Sequence, residues 1–297
     1  HVLVSFTSLK KVDFGDNPAV PETGWTALLR ALAGGRMEEL SLSSCALQGP
    51  KALSVAQELG QLPNLRELDL SYNEQLSITG WAALLKTLAG GSIEILSLYQ
   101  CSMGSEKAMR LARDLAHLTR LKKVDFGGNN AVSAIGWSTL LRALAGGPLE
   151  ELSLRDCSLE GERAASVAAE LRQLKHLKSV TFGSSAPFGQ SDDSTAAGWG
   201  ALLRALAGGG TEELSFRHCA LQEHKAITIA QELGQLGQLR NVNFGYNPAL
   251  SAAGWAALLA ALAGLGVQEL SFFACALDEQ KAVSVAGGLG QLRQLRK

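Results

Sequence analysis

Five tryptophans keep time along this chain. Trp25, Trp81, Trp137, Trp199 and Trp255 stand 56, 56, 62 and 56 residues apart, and Cys45, Cys101, Cys157, Cys219 and Cys275 repeat the same four intervals. Two unrelated residue types sharing one period, and one six-residue slip, define five tandem units of 56 residues with a single insertion. The slip falls between Phe182 and Trp199, where GSSAPFGQSDDSTAAGW replaces the shorter spacing of FGGNNAVSAIGW. The inserted stretch is polar and rich in turn formers, which predicts a loop near residues 183–195. Phe188, Asp192 and Asp193 within it are candidates to extend a contact surface.

Each unit divides into two halves of 28 residues that open on L-x-x-L-x-L, as in LEELSLRDCSL (Leu149 to Leu159) and LRELDLSYNEQL (Leu65 to Leu76). Apolar and polar residues alternate there with period two, the pattern of a short strand with one buried face. The segments that follow, such as TGWAALLKTLAGG (Thr79 to Gly91) and EKAMRLARDLAHL (Glu106 to Leu118), place apolar residues three and four apart and read as helices. Ser77, Ser133, Thr195 and Ser251 suit helix N-caps, with Pro21 in that slot in the first unit, and the Gly-Gly pairs beginning at 34, 90, 146 and 208 suit helix C-termini.

The consensus L-x-x-L-x-L-x-x-N/C-x-L, repeated every 28 residues, resembles the leucine-rich-repeat family, and specifically its ribonuclease-inhibitor-like class, which also supplies the receptor portion of NOD-like receptors. Alternation of a Cys half with an Asn half is carried here by the five cysteines against Asn17, Asn73, Asn129 and Asn247. Two departures stand out: the Asn halves have one extra residue before the next apolar position, and Ser185 occupies the place of the fourth Asn, beside the insertion. The resemblance implies an α/β solenoid, a horseshoe with a parallel β-sheet on the concave face and helices on the convex face. It would be a single domain over residues 1–297, of about ten repeats in five pairs. It also implies protein binding, and GTPase-activating proteins for a nuclear small GTPase share the repeat class. The chain starts inside one half-repeat and stops at QLRQLRK where another strand is due, the pattern of a fragment of a longer protein, and bare ends leave end-to-end self-association open.

Composition narrows the function classes. Of 297 residues 46% are hydrophobic and 19% charged, enough for a large folded body, and the formal net charge of -1 supplies no field that would draw nucleic acid or anionic lipid. The longest nearly apolar run, Ala256 to Val267, is too short to cross a bilayer. An odd number of cysteines and the lack of an N-glycosylation sequon favour a reducing, cytoplasmic setting. Phosphate-binding loops, metalloprotease pairs and nucleophile elbows are missing, so neither an enzyme nor a cofactor is expected.

Most repeated residues are expected to serve the fold: the cysteines as buried packing, the asparagines as links between turns, the tryptophans as core. A zinc reading of His218, Cys219 and His224 fits no usual spacing. Lys51, Lys107, Arg163, Lys225 and Lys281, with Glu58, Asp114, Glu170 and Glu232 seven residues on, read as a solvated helical face. The row Asp13, Ser41, Asp69, Ser97, Asp125, Ser153, Thr181, Ser215, Asn243 and Ser271 reads as a hydrogen-bonded ladder across adjacent strands. The two positions after the second inner leucine, by contrast, are not copied from repeat to repeat. They hold Tyr72, Tyr99, Gln100, Arg155, Asp156, Arg217, His218, Tyr246 and Phe273, types enriched where proteins bind one another, and these are the candidate protein-binding residues. Drift at exposed positions is the competing explanation.

Overall fold

A computed structural model of the chain describes residues 8–183 and 193–296, with the side chains of 193–195 set aside. Phe188, Asp192, Ser185 and most of the expected loop lie outside the described residues. The chain divides into two compact units, His1–Leu149 and Glu150–Lys297.

In the first unit, strands β1 (Lys11–Asp13), β2 (Glu39–Ser41), β3 (Glu67–Asp69), β4 (Ile95–Ser97) and β5 (Lys123–Asp125) alternate with helices α1 (Glu22–Leu32), α2 (Gly49–Leu59), α3 (Ile78–Leu88), α4 (Ser105–Leu115) and α5 (Ala134–Leu144). Neighbouring strands pair in parallel with a 28-residue register, as in Leu40 opposite Leu68 and Leu68 opposite Leu96. The second unit repeats the plan with β6 (Glu151–Ser153), β7 (Ser179–Thr181), β8 (Glu213–Ser215), β9 (Asn241–Asn243) and β10 (Glu269–Ser271). Its helices are α6 (Gly161–Leu171), α7 (Asp193–Leu206), α8 (Glu223–Leu233), α9 (Ala252–Leu262) and α10 (Glu279–Leu289). Period-two alternation works as expected, since the middle residue of the inner strands is buried while its neighbours face outward. Each unit is therefore an α/β repeat solenoid, with its core between one parallel sheet and one row of helices.

Two devices join successive turns. Asn129 accepts hydrogen bonds at Oδ1 from the Cys101 and Met103 amides, 3.2 and 3.0 Å away, and donates from Nδ2 to the Leu98, Phe126 and Gly127 carbonyls. Asn73 makes the same five bonds with residues of its own and the preceding turn. In the other half the thiol does the donating: Cys45 Sγ reaches the Phe14 carbonyl at 3.2 Å and Cys101 Sγ the Leu70 carbonyl at 3.3 Å. Both residue types thus satisfy backbone groups that a buried turn would leave orphaned.

The helices are placed by packing and capping together. Ser77, Ser133 and Ser251 accept from the amides of Gly80, Gly136 and Gly254, and Gly34, Gly90, Gly146 and Gly208 follow their helices with φ between 72 and 82°. A Cβ on Gly80 would meet Leu76 Cδ1 at 2.7 Å and Ala52 Cβ at 3.0 Å, so the residue before Trp81 must be small for α3 to lie on α2. α7 opens at Asp193, two residues ahead of Thr195, so the cap expected at Thr195 lies inside the helix.

The expected solvated face of paired charges needs correction. Glu58 is only 4% exposed and Glu170 and Glu232 are also buried, because each sits between neighbouring helices. Arg30, one turn earlier, donates to Glu58 at 3.0 Å, and Arg204 does the same for Glu232. The cations opposite are staples: Lys51 Nζ donates to the Pro18 carbonyl at 2.9 Å, Lys107 to Glu74 and Ser102, Lys281 to Pro248 and Ala276. Spacing alone places these residues on the helices; it does not reveal that the helices pack closely enough to cover them.

Replacing Asn129 with Ala orphans several buried backbone groups at once and is expected to lower unfolding free energy by roughly 3–5 kcal/mol. Gln75→Ala, at an exposed turn position, is expected to stay within about 0.5 kcal/mol in the same urea titration.

Candidate functional site

The nine uncopied residues lie where each strand leaves the sheet, and none of them is buried. The ladder of backbone pairing runs past the formal strand ends to hold them: the Tyr72 amide donates to the Tyr99 carbonyl at 2.8 Å, and the Tyr246 amide to the Phe273 carbonyl at 2.7 Å. Keeping that bond while turning toward the helix forces the second of the two positions into the left-handed region. Tyr72, Gln100, Asp156, His218 and Tyr246 have φ of 59, 49, 57, 59 and 58°. For residues with a Cβ this conformation costs about 1–3 kcal/mol each, supplied by the surrounding turn.

In the first unit the structure brings three candidates together. The Tyr72 and Tyr99 rings meet edge to face at 5.3 Å, and Gln100 Nε2 donates to the Tyr99 hydroxyl at 3.3 Å. Tyr72 remains 47% exposed. In the second unit His218 stacks on Tyr246 with centroids 4.1 Å apart, the Arg217 guanidinium lies 4.5 Å from the centre of the same ring, and Tyr246 meets Phe273 at 5.1 Å. Arg155, Asp156, Arg217 and His218 line a hollow of about 430 Å³ floored by Thr181, Gly183, Ser215 and Asn243. Gly183 is needed there, since a Cβ on it would come within 2.7 Å of the Arg217 carbonyl oxygen.

The row between the inner leucines combines local turns with cross-strand links of the expected kind. Asp13, Asp69, Asp125 and Asn243 each accept from the amide two residues on in their own chain segment, at 2.8 to 2.9 Å. The Ser41 to Asp69 link across strands is only 3.5 Å, at the edge of a hydrogen bond. Asp69 does both, holding the Ser71 amide with Oδ1 and accepting from the Ser41 hydroxyl with Oδ2, and Ser97 of the row meets the Ser71 hydroxyl of the preceding repeat at 2.7 Å. The left-handed row is the feature that sequence reasoning missed, although Gly128 at one of these positions, and Asp16, Asp156 and His218 at others, are residue types that tolerate it.

The remaining candidates do not converge. His218 stands on the outer face, Cys219 is buried and His224 is on α8, and among the described residues no group of three His, Cys, Asp or Glu side chains could share a metal ion. All five cysteines are free and buried. Burial pushes the Cys101 thiol from 9.0 up to about 12 and raises Cys45, Cys219 and Cys275 as well. No helix among the described residues is long and apolar enough to cross a membrane.

Comparison with known proteins fits this geometry. A family model described as Leucine Rich repeat matches residues 61–84. The ribonuclease inhibitor of Sus scrofa is 29% identical over 182 residues, which is 59% of this chain and 39% of that protein, so the match spans about two fifths of the relative. Among solved structures, the leucine-rich repeat-containing protein LegL7 from Legionella pneumophila superposes with a TM-score of 0.62 at 17% identity, covering 96% of this chain and 90% of that one. The chain has the leucine-rich-repeat fold, and its repeats are similar to those of the ribonuclease inhibitor, with a helix in each repeat and alternating Cys and Asn turns.

The thiols give a direct check. In the folded chain the raised thiols keep their protons, so Ellman's reagent at pH 8 is expected to label the five cysteines slowly, and all of them at once in denaturant. Between about pH 9 and the folded value of about 12 the unfolded state has lost the Cys101 proton and the folded state has not. Stability should therefore fall as pH rises through that window, by roughly a kcal/mol per pH unit for Cys101, measured as a shift of the urea midpoint.

Proposed function

We propose that this chain is a protein-recognition scaffold that holds a protein partner against the sheet face of its repeats. Tyr72, Tyr99, Gln100, Arg155, Asp156, Arg217, His218, Tyr246 and Phe273 are the proposed contact residues. One observation carries the reading: the side chains that differ between repeats emerge where the strands leave the sheet, while the copied leucines, cysteines and asparagines around them are buried. An asymmetric partner needs different groups along a repeated frame, and aromatic and Arg side chains are the types that dominate binding energy. Leucine-rich-repeat folds act generally as interaction scaffolds, and the ribonuclease inhibitor is by its name a protein that acts on an enzyme. That name favours a narrower form of the reading, in which the partner is an enzyme whose turnover the chain regulates.

The test begins with a partner captured from native extract and purified. Tyr99→Ala, Arg217→Ala and Phe273→Ala are each expected to weaken its binding at least tenfold, about 1.4 kcal/mol. Ile135→Ser and Val283→Ser on the helices are expected to leave affinity unchanged. The opposite pattern, with helix substitutions deciding affinity, would remove the sheet face from consideration. If the partner is an enzyme, its turnover with and without the chain separates regulation from simple tethering.

A further inference from the structure

Glu213 and Ser215 share one side of β8 in the second unit, and Arg217, in the turn two residues beyond the strand, lines a hollow together with Ser215. Four residues at about 3.3 Å each set the two Cα atoms about 13 Å apart, and among the described residues no ion pair joins their side chains. Among the described residues the Glu213 carboxylate accepts from the uncharged Asn241 side chain at 3.0 Å and has no cation partner, and Glu269, two strands on, is exposed. Among the described residues Arg217 has no carboxylate partner; its guanidinium rests on the Tyr246 ring. Glu213 and Glu269 thus stand where β8 and β10 begin, and Arg217 stands just beyond the end of β8, in the hollow that Arg155 and Asp156 also line.

The surface between the two poles is continuous. A hollow of about 590 Å³ lined by Glu213, Asn241 and Glu269 and the hollow of about 430 Å³ beside Arg217 and His218 share Thr181, Ser215 and Asn243. Beside the positive pole the Tyr246 and Phe273 rings offer an apolar shelf, with Phe273 65% exposed. The first unit lacks this arrangement: four residues before Ser43 and Tyr99, on β2 and β4, stand Glu39, which Lys11 neutralises at 2.7 Å, and Ile95.

We propose that the second unit docks a dipolar protein segment. Such a segment carries a carboxylate next to an aromatic or aliphatic side chain, which sits at Arg217, Tyr246 and Phe273, and a Lys or Arg about four extended residues away, which sits between Glu213 and Glu269. The proposal rests on the reading of the sheet face as a docking surface and adds to it the charge pattern and polarity of the partner. A uniformly acidic or uniformly basic partner matches one pole and is repelled by the other.

The test uses the whole chain and four synthetic capped heptapeptides, titrated by fluorescence polarisation at low salt. One carries Phe-Asp and a Lys four residues beyond the Asp; the others replace Asp with Asn, replace Lys with Gln, or shorten the separation to two residues. The first peptide is expected to bind at least tenfold tighter than each of the others. Arg217→Gln should abolish the preference for Asp over Asn and keep the preference for Lys over Gln, and the double variant Glu213→Gln, Glu269→Gln should do the reverse. Equal binding of all four peptides, or no binding at concentrations where the peptides stay soluble, overturns the dipolar match. Binding that depends on Phe and on Tyr246 but not on charge overturns it too, while leaving the broader docking surface standing. Loss of partner binding to the helix variants described above is the separate result that would remove that broader surface.

Discussion

A buried amide side chain that serves two turns at once is the joint on which these repeats hang. Stacking loops edge to edge buries backbone amides and carbonyls that no helix or strand can satisfy. Asn73, Asn129 and Asn247 fill that need with one acceptor and one forked donor each, and the alternate cysteines contribute the lighter half of the same function with a single thiol. Because the joints fix where each turn lies against the next, the leucine columns stack in register and the residues beyond them come out in a row.

That division of labour explains the unevenness of the proposed face. Copying is enforced where a side chain is buried against the neighbouring repeat, and relaxed where it stays exposed, even when, as with Tyr72 and Tyr99, it touches its neighbour. The relaxed positions still bear a backbone demand, since those at the second place adopt left-handed dihedrals. Glycine would meet the demand at no cost, as Gly128 does, yet Tyr72, His218 and Tyr246 stand in equivalent places. Ser44 and Ala274 adopt the same dihedrals in the same place, so the demand belongs to the turn and is met by small and large side chains alike.

Much of the fold was legible because period, strand alternation and cap residues all read on the same 28-residue ruler. The Trp and Cys intervals, the Ser77 cap and the C-terminal glycines needed no tertiary information. What could not be read depends on distances between turns. Glu58 carries the label of a surface residue until α1 and α2 close over it, and the turns by which Asp13 and Asp69 hold the amides two residues on depend on backbone geometry that spacing does not give. For the candidate site, sequence variation picked out the row, while its grouping into a tyrosine pair and an Arg-His-Tyr-Phe cluster required ring positions that no spacing encodes.

The side-chain ties between turns carry one more consequence. Asn, Cys, Lys and Arg links all join residues between 26 and 33 positions apart, so each turn is bound only to the ones beside it. Chain-closure entropy is then met in small, equal instalments, and assembly can begin at any turn and spread in both directions. The same short wiring sets the response to force: tension on an end loads only the last few joints, and the chain pays out slack coil by coil while the turns further in stay wound.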